Sequence, residues 1–433
     1  MASLLQKIEA KSARVVVIGI GYVGLPLVAE FARAGFRTTG LDKSSEKVRL
    51  LNAGESYIAD VPTSDLAPHV RSGMLDATLD ATVIREADVV IVCVPTPLNK
   101  TKGPDMRFIA AATEEIARYQ HDGMLVILES TTYPGTTTEM LVPKLTERGA
   151  ILGHSVFIAF SPERVDPGNA VYKTKNTPKV LGGASAECLR IAKALYSLIL
   201  DEVVPVSSTE TAEMVKLLEN TFRAVNIGLV NEIAMMSRKL GVDPFEVIRA
   251  AATKPFGFMP FYPGPGLGGH CLPIDPLYLS WKLRALEGQA RFIELADHVN
   301  AGMPAYVVDR TREALNSQGK PVHGADILIY GVAYKRDVRD VRESPAVAII
   351  ELLLRRGARV SYMDPYVAEL DEAGVQLKRL DASEHFGRFD AVVIVTDHSA
   401  LERGRLLAQS RLVIDTRDAL HDVPGDRRKI HGL

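Results

Sequence analysis

The 433-residue sequence holds only three cysteines, Cys93, Cys188 and Cys271. An odd number at such wide spacing excludes a disulfide framework and a cysteine-type zinc site, and it suits a reducing cytoplasm. No apolar run approaches the 18 residues or so that a membrane-spanning helix needs, so no span is expected. The opening residues, MASLLQKIEAKSAR, lack the apolar centre of a secretory signal. The HExxH zinc pattern is also missing, and no metal is expected. Charge of one sign is lacking too: 51 Lys and Arg stand against 53 Asp and Glu, a net charge of −2. That balance argues against nucleic acid or an anionic membrane as the main partner, and it confines any phosphate site to a local patch. What is present is ordinary for a globular enzyme, 47% apolar and 24% charged. The length exceeds one core, so two or three domains are expected.

Residues 14 to about 206 alternate short β-branched runs with helical patterns. RVVVIG at 14–19, FRTTGLD at 36–42, DVVIVCVP at 88–95, MLVILES at 124–130 and VFIAFSP at 156–162 read as buried parallel strands. Helical stretches at 22–34, 107–120 and 186–199 lie between them, which is the pattern of a doubly wound sheet. A different texture begins near Ser207, where Ser207-Ser208-Thr209-Glu210 fits a capping box with Ser207 as cap. From there to Leu240 only Gly228 interrupts the pattern, so one helix of roughly thirty residues is expected. Asp243 and Pro244 then start another helix as N-cap and first residue. The last third returns to the first texture, with strands at 325–334, 358–365, 390–397 and 411–418 and a helix at 344–357. The expected fold is therefore α/β, with two Rossmann-like doubly wound domains (1–206 and 318–433) joined by a long-helix central domain (207–317).

Gly19-Ile20-Gly21-Tyr22-Val23-Gly24 follows the first strand, opens a helix and is followed by Asp42 at the end of the next strand. This arrangement is the dinucleotide fingerprint: the glycines permit the tight turn, and the helix N-terminus faces the pyrophosphate. Asp42 accepts from the ribose hydroxyls and repels a 2′-phosphate, so NAD is favoured over NADP, while Lys43 and Lys47 soften the preference. Thr96, Thr131 and Glu163 fall at the carboxyl ends of strands, the edge where ligands bind in such sheets. Glu163, in Ser161-Pro162-Glu163-Arg164, is a candidate general base there.

Lys216 and Asn220 are four apart on the long helix and share a face. Two readings stand: a solvated face paired with Glu213 and Glu219, or an ammonium and an amide that stabilise an oxyanion. The stretch YPGPGLGGHCLPIDP, Tyr262 to Pro276, puts Gly264, Gly266, Gly268 and Gly269 just before Cys271, with Asp275 four residues on. Backbone amides without side chains approach an anion closely. A thiolate there, with Lys216 or His270 as neighbouring cation, could trap an aldehyde, pass through a thioester and deliver an acid. Cys93 and Cys188 fall inside apolar patterns and read as core.

These residues together resemble the UDP-glucose/GDP-mannose dehydrogenase family over nearly the whole chain. The resemblance rests on GIGYVGLPL at 19–27, VPTP at 94–97, ESTTYPG at 129–135, SPER at 161–164 and EMVKLLENTFRAVNIGLVNE at 213–232. It continues through GPGLGGHCLPIDP at 264–276 and YKRDVRDVRESPA at 334–346. It implies four-electron, NAD-dependent oxidation of a UDP-sugar for surface polysaccharide synthesis by a cytoplasmic homodimer or larger homo-oligomer. By the same resemblance Cys271 is the nucleophile, Lys216 and Asn220 bind the reacting oxygen, and Asp275 orients Lys216 and water. Glu163 assists thioester hydrolysis, Thr131 holds the water, and Arg342 lies close to the NAD pyrophosphate. Arg164, Tyr262, Gly264, Gly266, Gly268, Lys335 and Arg417 contact the substrate. UDP-glucose enzymes usually read GFGGSCFxKD, whereas this chain has His270 before Cys271 and Ile274-Asp275-Pro276 after it. With TKPFGF at 253–258, that departure points to the branch acting on UDP-N-acetylhexosamines, UDP-N-acetyl-D-glucosamine first. UDP-N-acetylgalactosamine, UDP-N-acetylmannosamine and UDP-glucose are the alternatives, followed by a two-electron β-hydroxyacid dehydrogenase and a non-enzymatic NAD-binding protein.

Overall fold

A computed structural model describes residues 3–58, 60–99, 102–166, 168–169 and 171–433; Met1 and Ala2 of the opening stretch lie outside them. The chain divides into two compact units, Met1–Glu219 with Trp281–Glu287, and Asn220–Ser280 with Gly288–Leu433.

The first unit is built on one sheet of β1 (Arg14–Ile18), β2 (Arg37–Leu41), β3 (Leu75–Thr78), β4 (Val89–Val92), β5 (Met124–Leu128), β6 (Val156–Phe160), β7 (Lys179–Gly183) and β8 (Val203–Val206). Its strand order is β3-β2-β1-β4-β5-β6-β7-β8. The pairs are parallel except β6–β7, which runs antiparallel with Phe160 opposite Gly182. Helices α1 (Leu4–Glu9), α2 (Gly24–Ala34), α3 (Ser45–Asn52), α4 (Thr63–Arg71), α5 (Arg107–Tyr119), α6 (Val142–Thr146) and α7 (Ala186–Tyr196) connect the strands. Side chains along a strand alternate faces. Val15, Val17, Ile91, Leu125 and Ile127 accordingly enter one core, and Val16, Val90, Val92, Val126 and Leu128 the other. Cys93 and Cys188 are buried, as expected.

Helix α8 (Thr209–Leu240) runs unbroken through Gly228. Its cap differs from the expected one. Ser208 Oγ, not Ser207, accepts the Thr211 amide at 3.1 Å, and Glu210 accepts the Thr138 hydroxyl at 2.7 Å instead of reaching back. Gly228 has a packing reason, because a Cβ there would stand 3.2 Å from Cα of Ala296. Ala224, Val230 and Ala234 are the core side of α8, whereas Phe222 and Leu229 are exposed.

The second unit also contains α9 (Pro244–Ala251), capped by Asp243 as expected, most of α10 (Asp275–Ala285), and α11 (Arg291–Ser317). Its sheet comprises β9 (Asp326–Tyr330), β10 (Arg359–Met363), β13 (Ala391–Ile394), β14 (Val413–Asp415) and β15 (Ile430–Gly432), in parallel order β10-β9-β13-β14-β15. A separate hairpin pairs β11 (Glu369–Glu372) with β12 (Val375–Lys378). Helices α12 (Pro345–Arg355) and α13 (Arg403–Gln409) complete it. Asp364 ends β10 as Asp42 ends β2, and both accept amides from the turn after the neighbouring strand. Asp42 takes Ile20 at 3.0 Å, and Asp364 takes Val332 at 2.7 Å. In the second copy, buried His398 also fills the carboxylate at 3.0 Å. The expected α/β class with doubly wound sheets and a long helix is what the chain forms. No helix among the described residues is long and apolar enough to cross a membrane.

Candidate functional site

In the first unit, the strand order reverses between β1 and β4, and a crevice opens outside the carboxyl ends at such a point. Gly19 turns there with φ of 91°, and a Cβ would lie 2.5 Å from the Cys93 carbonyl oxygen. A Cβ on Gly24 would lie 1.9 Å from the Gly19 carbonyl, so the start of α2 tolerates no side chain. Gly21 has nothing within 4 Å of that position, leaving its backbone open to a ligand. Val23 precedes α2 without a side-chain cap; Leu25 donates its amide to the Gly21 carbonyl at 2.9 Å and Pro26 has no N–H, so the helix start offers a pyrophosphate the amides of Val23 and Gly24. Tyr22 is exposed beside them. Asp42 stands at the end of β2, where it accepts Ser44 N at 2.9 Å and Lys47 Nζ at 3.2 Å. Lys47 thus pairs with the Asp42 carboxylate. These residues fit a dinucleotide.

Thr96, buried, follows β4; Thr131 follows β5; and Glu163 follows β6, so all three reach the same edge as expected. Glu163 accepts the Val165 amide, which turns its carboxylate back onto its own loop. Arg164 donates to the Pro178 carbonyl at 2.6 Å and to Glu219 at 2.5 Å, so it ties this loop to α8.

Those contacts decide the reading of the α8 face. Lys216 is 7% exposed, and Glu213 is fully buried, so a solvated ion-pair face is excluded. Glu213 accepts Gly135 N at 2.6 Å, Thr137 N at 2.9 Å and Thr137 Oγ1 at 2.7 Å, while Glu219 takes Arg164. Burial pushes the Glu213 carboxyl up to about 7 even though those three donors favour its charged form. With the nearby acids engaged elsewhere, the Lys216 ammonium has no hydrogen-bond or ion-pair partner among the described residues. A nearly buried, unpaired ammonium is costly unless an anion or oxyanion meets it.

In the second unit, Asn220 Nδ2 donates to Asp275 Oδ2 at 2.5 Å, both side chains being buried. The amides of Asp275 and Ile274 donate to the Cys271 carbonyl at 2.8 and 3.1 Å, which folds 271–275 into a turn at the head of α10. Cys271 itself is exposed. Cys271, Asp275 and Asn220 are therefore one local cluster. His270 does not supply the expected cation, because burial and the nearby Arg342 charge push its imidazole below the usual value. Arg342 keeps its guanidinium on Asp340, at 2.6 Å for Nη2, and its carbonyl accepts the Gly269 amide at 3.1 Å.

The glycine loop meets two expected partners. A Cβ on Gly264 would lie 2.5 Å from Arg417 Nη1, and one on Gly268 would lie 2.7 Å from Cβ of Tyr334, next to half-buried Lys335. Gly266 has φ of 132° and approaches the Asn300 carbonyl, and Tyr262 stacks on Phe245 at 6.5 Å. Arg417 donates Nε to the Val395 carbonyl at 2.8 Å, and burial lowers its pKa. Two positioning residues escape the sequence reading. Asn231 Oδ1 accepts the Gly264 amide at 2.9 Å, and its Nδ2 donates to Asn300 at 2.9 Å. Asn231 stands eleven residues after Asn220, three helical turns, and that spacing is the signal that could have found it.

Comparison with known proteins agrees with this arrangement. Residues 13–200, 210–302 and 328–422 match the NAD binding, central and UDP binding domain models of the UDP-glucose/GDP-mannose dehydrogenase family. The UDP-N-acetyl-D-mannosamine dehydrogenase of Methanococcus maripaludis is 34% identical over 90% of this chain and 87% of its own length. The UDP-N-acetyl-D-glucosamine 6-dehydrogenase of Pseudomonas aeruginosa is 34% identical over 90% and 91%. The solved structure of the UDP-D-ManNAc dehydrogenase from Pyrococcus horikoshii superposes with a TM-score of 0.87 at 34% identity, covering 97% of this chain and 98% of that one.

Proposed function

The chain belongs to the UDP-glucose/GDP-mannose dehydrogenase family, an NAD-dependent nucleotide-sugar dehydrogenase, and from that premise we propose that it oxidises C6 of UDP-N-acetyl-D-glucosamine to the uronate. The reading is supported above all by the cluster in which Asn220 holds Asp275 at 2.5 Å and Asp275 closes the turn carrying exposed Cys271. NAD, when bound, supplies the hydride acceptor for both two-electron steps, held by Gly19, Gly21, Gly24 and Asp42.

Lys216 and Asn220 stabilise the oxygen that becomes an oxyanion. The Cys271 thiolate adds to the C6 aldehyde carbon to form a thiohemiacetal, which the second oxidation converts to a thioester. Water held by Thr131 then attacks the thioester carbonyl, Glu163 takes its proton, the C–S bond breaks, and the thiolate leaves on Cys271. Asp275 orients Asn220. Gly264, Gly266 and Gly268 turn their backbone to the UDP phosphates, with Tyr262, Lys335 and Arg417 beside them and Arg342 toward the NAD pyrophosphate. The three-part division at 206/207 and 317/318 belongs to the same proposal. So does a cytoplasmic homodimer, favoured by the three free cysteines and by exposed Phe222 and Leu229 on α8.

A second reading, UDP-N-acetylmannosamine as substrate, is favoured by the equal identity of the mannosamine relatives. Turnover on UDP-N-acetylglucosamine, UDP-N-acetylgalactosamine, UDP-N-acetylmannosamine and UDP-glucose tests both. The first should give the highest kcat/KM; a maximum on the mannosamine sugar installs the second reading, and failure on all four overturns both.

A further inference from the structure

Beneath the carboxyl edge of the first sheet lies a closed set of buried polar groups that the proposed chemistry does not use. Glu129, at the end of β5, is fully buried, and its Oε2 accepts Lys179 Nζ at 2.9 Å. Its other oxygen accepts the Tyr196 hydroxyl, and the Lys179 ammonium sits 5.4 Å from the centre of the Tyr196 ring. Lys179 is only 7% exposed. An ion pair this deep adds little net stability, because desolvation offsets the attraction, and apolar replacements of similar volume are often as stable. Stability alone therefore does not account for it.

Its placement does. Because β7 runs antiparallel to β6, the chain enters β7 at the carboxyl edge, so Lys179 arrives where Thr131 and Glu163 emerge. The loop carrying Glu163 hangs from both neighbours of Lys179. Ser161 Oγ donates to the Val180 carbonyl at 2.8 Å, and Arg164 donates to the Pro178 carbonyl at 2.6 Å. Glu129 lies two residues before Thr131. We propose that Glu129, Lys179 and Tyr196 are positioning residues that fix the Glu163 loop and Thr131, with Lys179 the counter-charge of Glu129. The electrostatics agree: burial would push the Lys179 ammonium down, but the Glu129 and Glu163 carboxylates hold it above its usual value. The inference rests on the assignment of Glu163 to thioester hydrolysis made above.

The test compares Lys179→Met, Glu129→Gln, the double variant and Tyr196→Phe in the full-length enzyme with NAD and the best UDP-sugar. Melting temperature, NAD affinity, acid release and intact mass are read for each. Lys179→Met should lower the melting temperature, slow acid release about 10²-fold and accumulate acyl-enzyme, as expected when a reacting group is misplaced by an ångström. The double variant should recover the melting temperature without recovering acid release. Tyr196→Phe keeps the ion pair and should slow acid release about tenfold at unchanged NAD affinity, as expected for loss of one hydrogen bond to a charged group. A double variant that recovers both stability and acid release overturns the proposal, as does normal acid release in Tyr196→Phe. Glu163→Gln is the reference. If it accumulates acyl-enzyme and Lys179→Met does not, only the positioning role fails. If Glu163→Gln does not, the assignment of Glu163 fails and this inference with it.

Discussion

Replacing Asn220 by Asp puts a second carboxylate where an amide now donates to Asp275 across 2.5 Å. At that separation, and at an effective dielectric constant near 20, two ionised carboxylates repel by about 7 kcal/mol. Both side chains are buried, so water cannot screen them, and one carboxyl of the pair keeps a proton instead. The sign then follows from proton linkage. A pair whose folded pKa lies above its unfolded one binds more protons folded, so its stability is present at low pH and is lost as pH rises through the raised value. Asn220→Asp should therefore melt at least ~5 °C lower at pH 8 than at pH 5.5, relative to the same interval in the parent, since a few kcal/mol moves a unit of this size by several degrees. Differential scanning fluorimetry across that range is sufficient, with NADH formation followed in parallel. Turnover should be low at both pH values, because the amide donor is gone in either protonation state. An Asn220→Asp protein that melts in step with the parent at every pH would refute the contact on which the cluster is built.

Two further outcomes follow from single side chains. Asp42→Ala should relax the preference for NAD over NADP, because the carboxylate that reads the ribose and repels a 2′-phosphate is gone; equal use of both cofactors by the parent would sink this. Lys216→Ala should lower turnover by roughly 10² to 10³ with little change in NAD affinity, measured by fluorescence titration, as for loss of an oxyanion partner. A rate near the parent's would mean that the buried ammonium has no part in the chemistry.

The elements that the sequence displays are those with long apolar runs bounded by punctuation. RVVVI before GIGYVG, and MLVIL before ESTT, need no tertiary context to be read as strand and turn. The missed strands lack that signature. LDAT of β3 is short and half polar, VVPV of β8 carries a proline at the sheet edge, and ELDE and VQLK of the hairpin are mostly charged or polar. KVLGG of β7 begins with a lysine, which by itself reads as solvated, and nothing local announces that it runs antiparallel or pairs with a glutamate fifty residues upstream. Helix α8 shows the same limit within a single element. Spacing placed Lys216 and Asn220 on one face, but only the folded chain shows that Glu213 and Glu219 bond elsewhere and leave the ammonium without a hydrogen-bond or ion-pair partner among the described residues. The loop at 262–276 was legible because glycine, proline and cysteine concentrate in it. The Glu219 partner of Arg164 was not, since the two stand 55 residues apart and meet only by tertiary approach; the Asp340 partner of Arg342, by contrast, lies two residues away in the sequence.

A four-electron oxidation through an acyl group on Cys271 is read from the ratio of NADH formed to uronate released in single turnovers of the parent and Cys271→Ala proteins. The parent should form two NADH and one uronate per sugar, with no free aldehyde. Uronate formation should collapse in Cys271→Ala, where the first hydride site is intact but no thiohemiacetal forms. Two NADH and normal uronate from Cys271→Ala would contradict it.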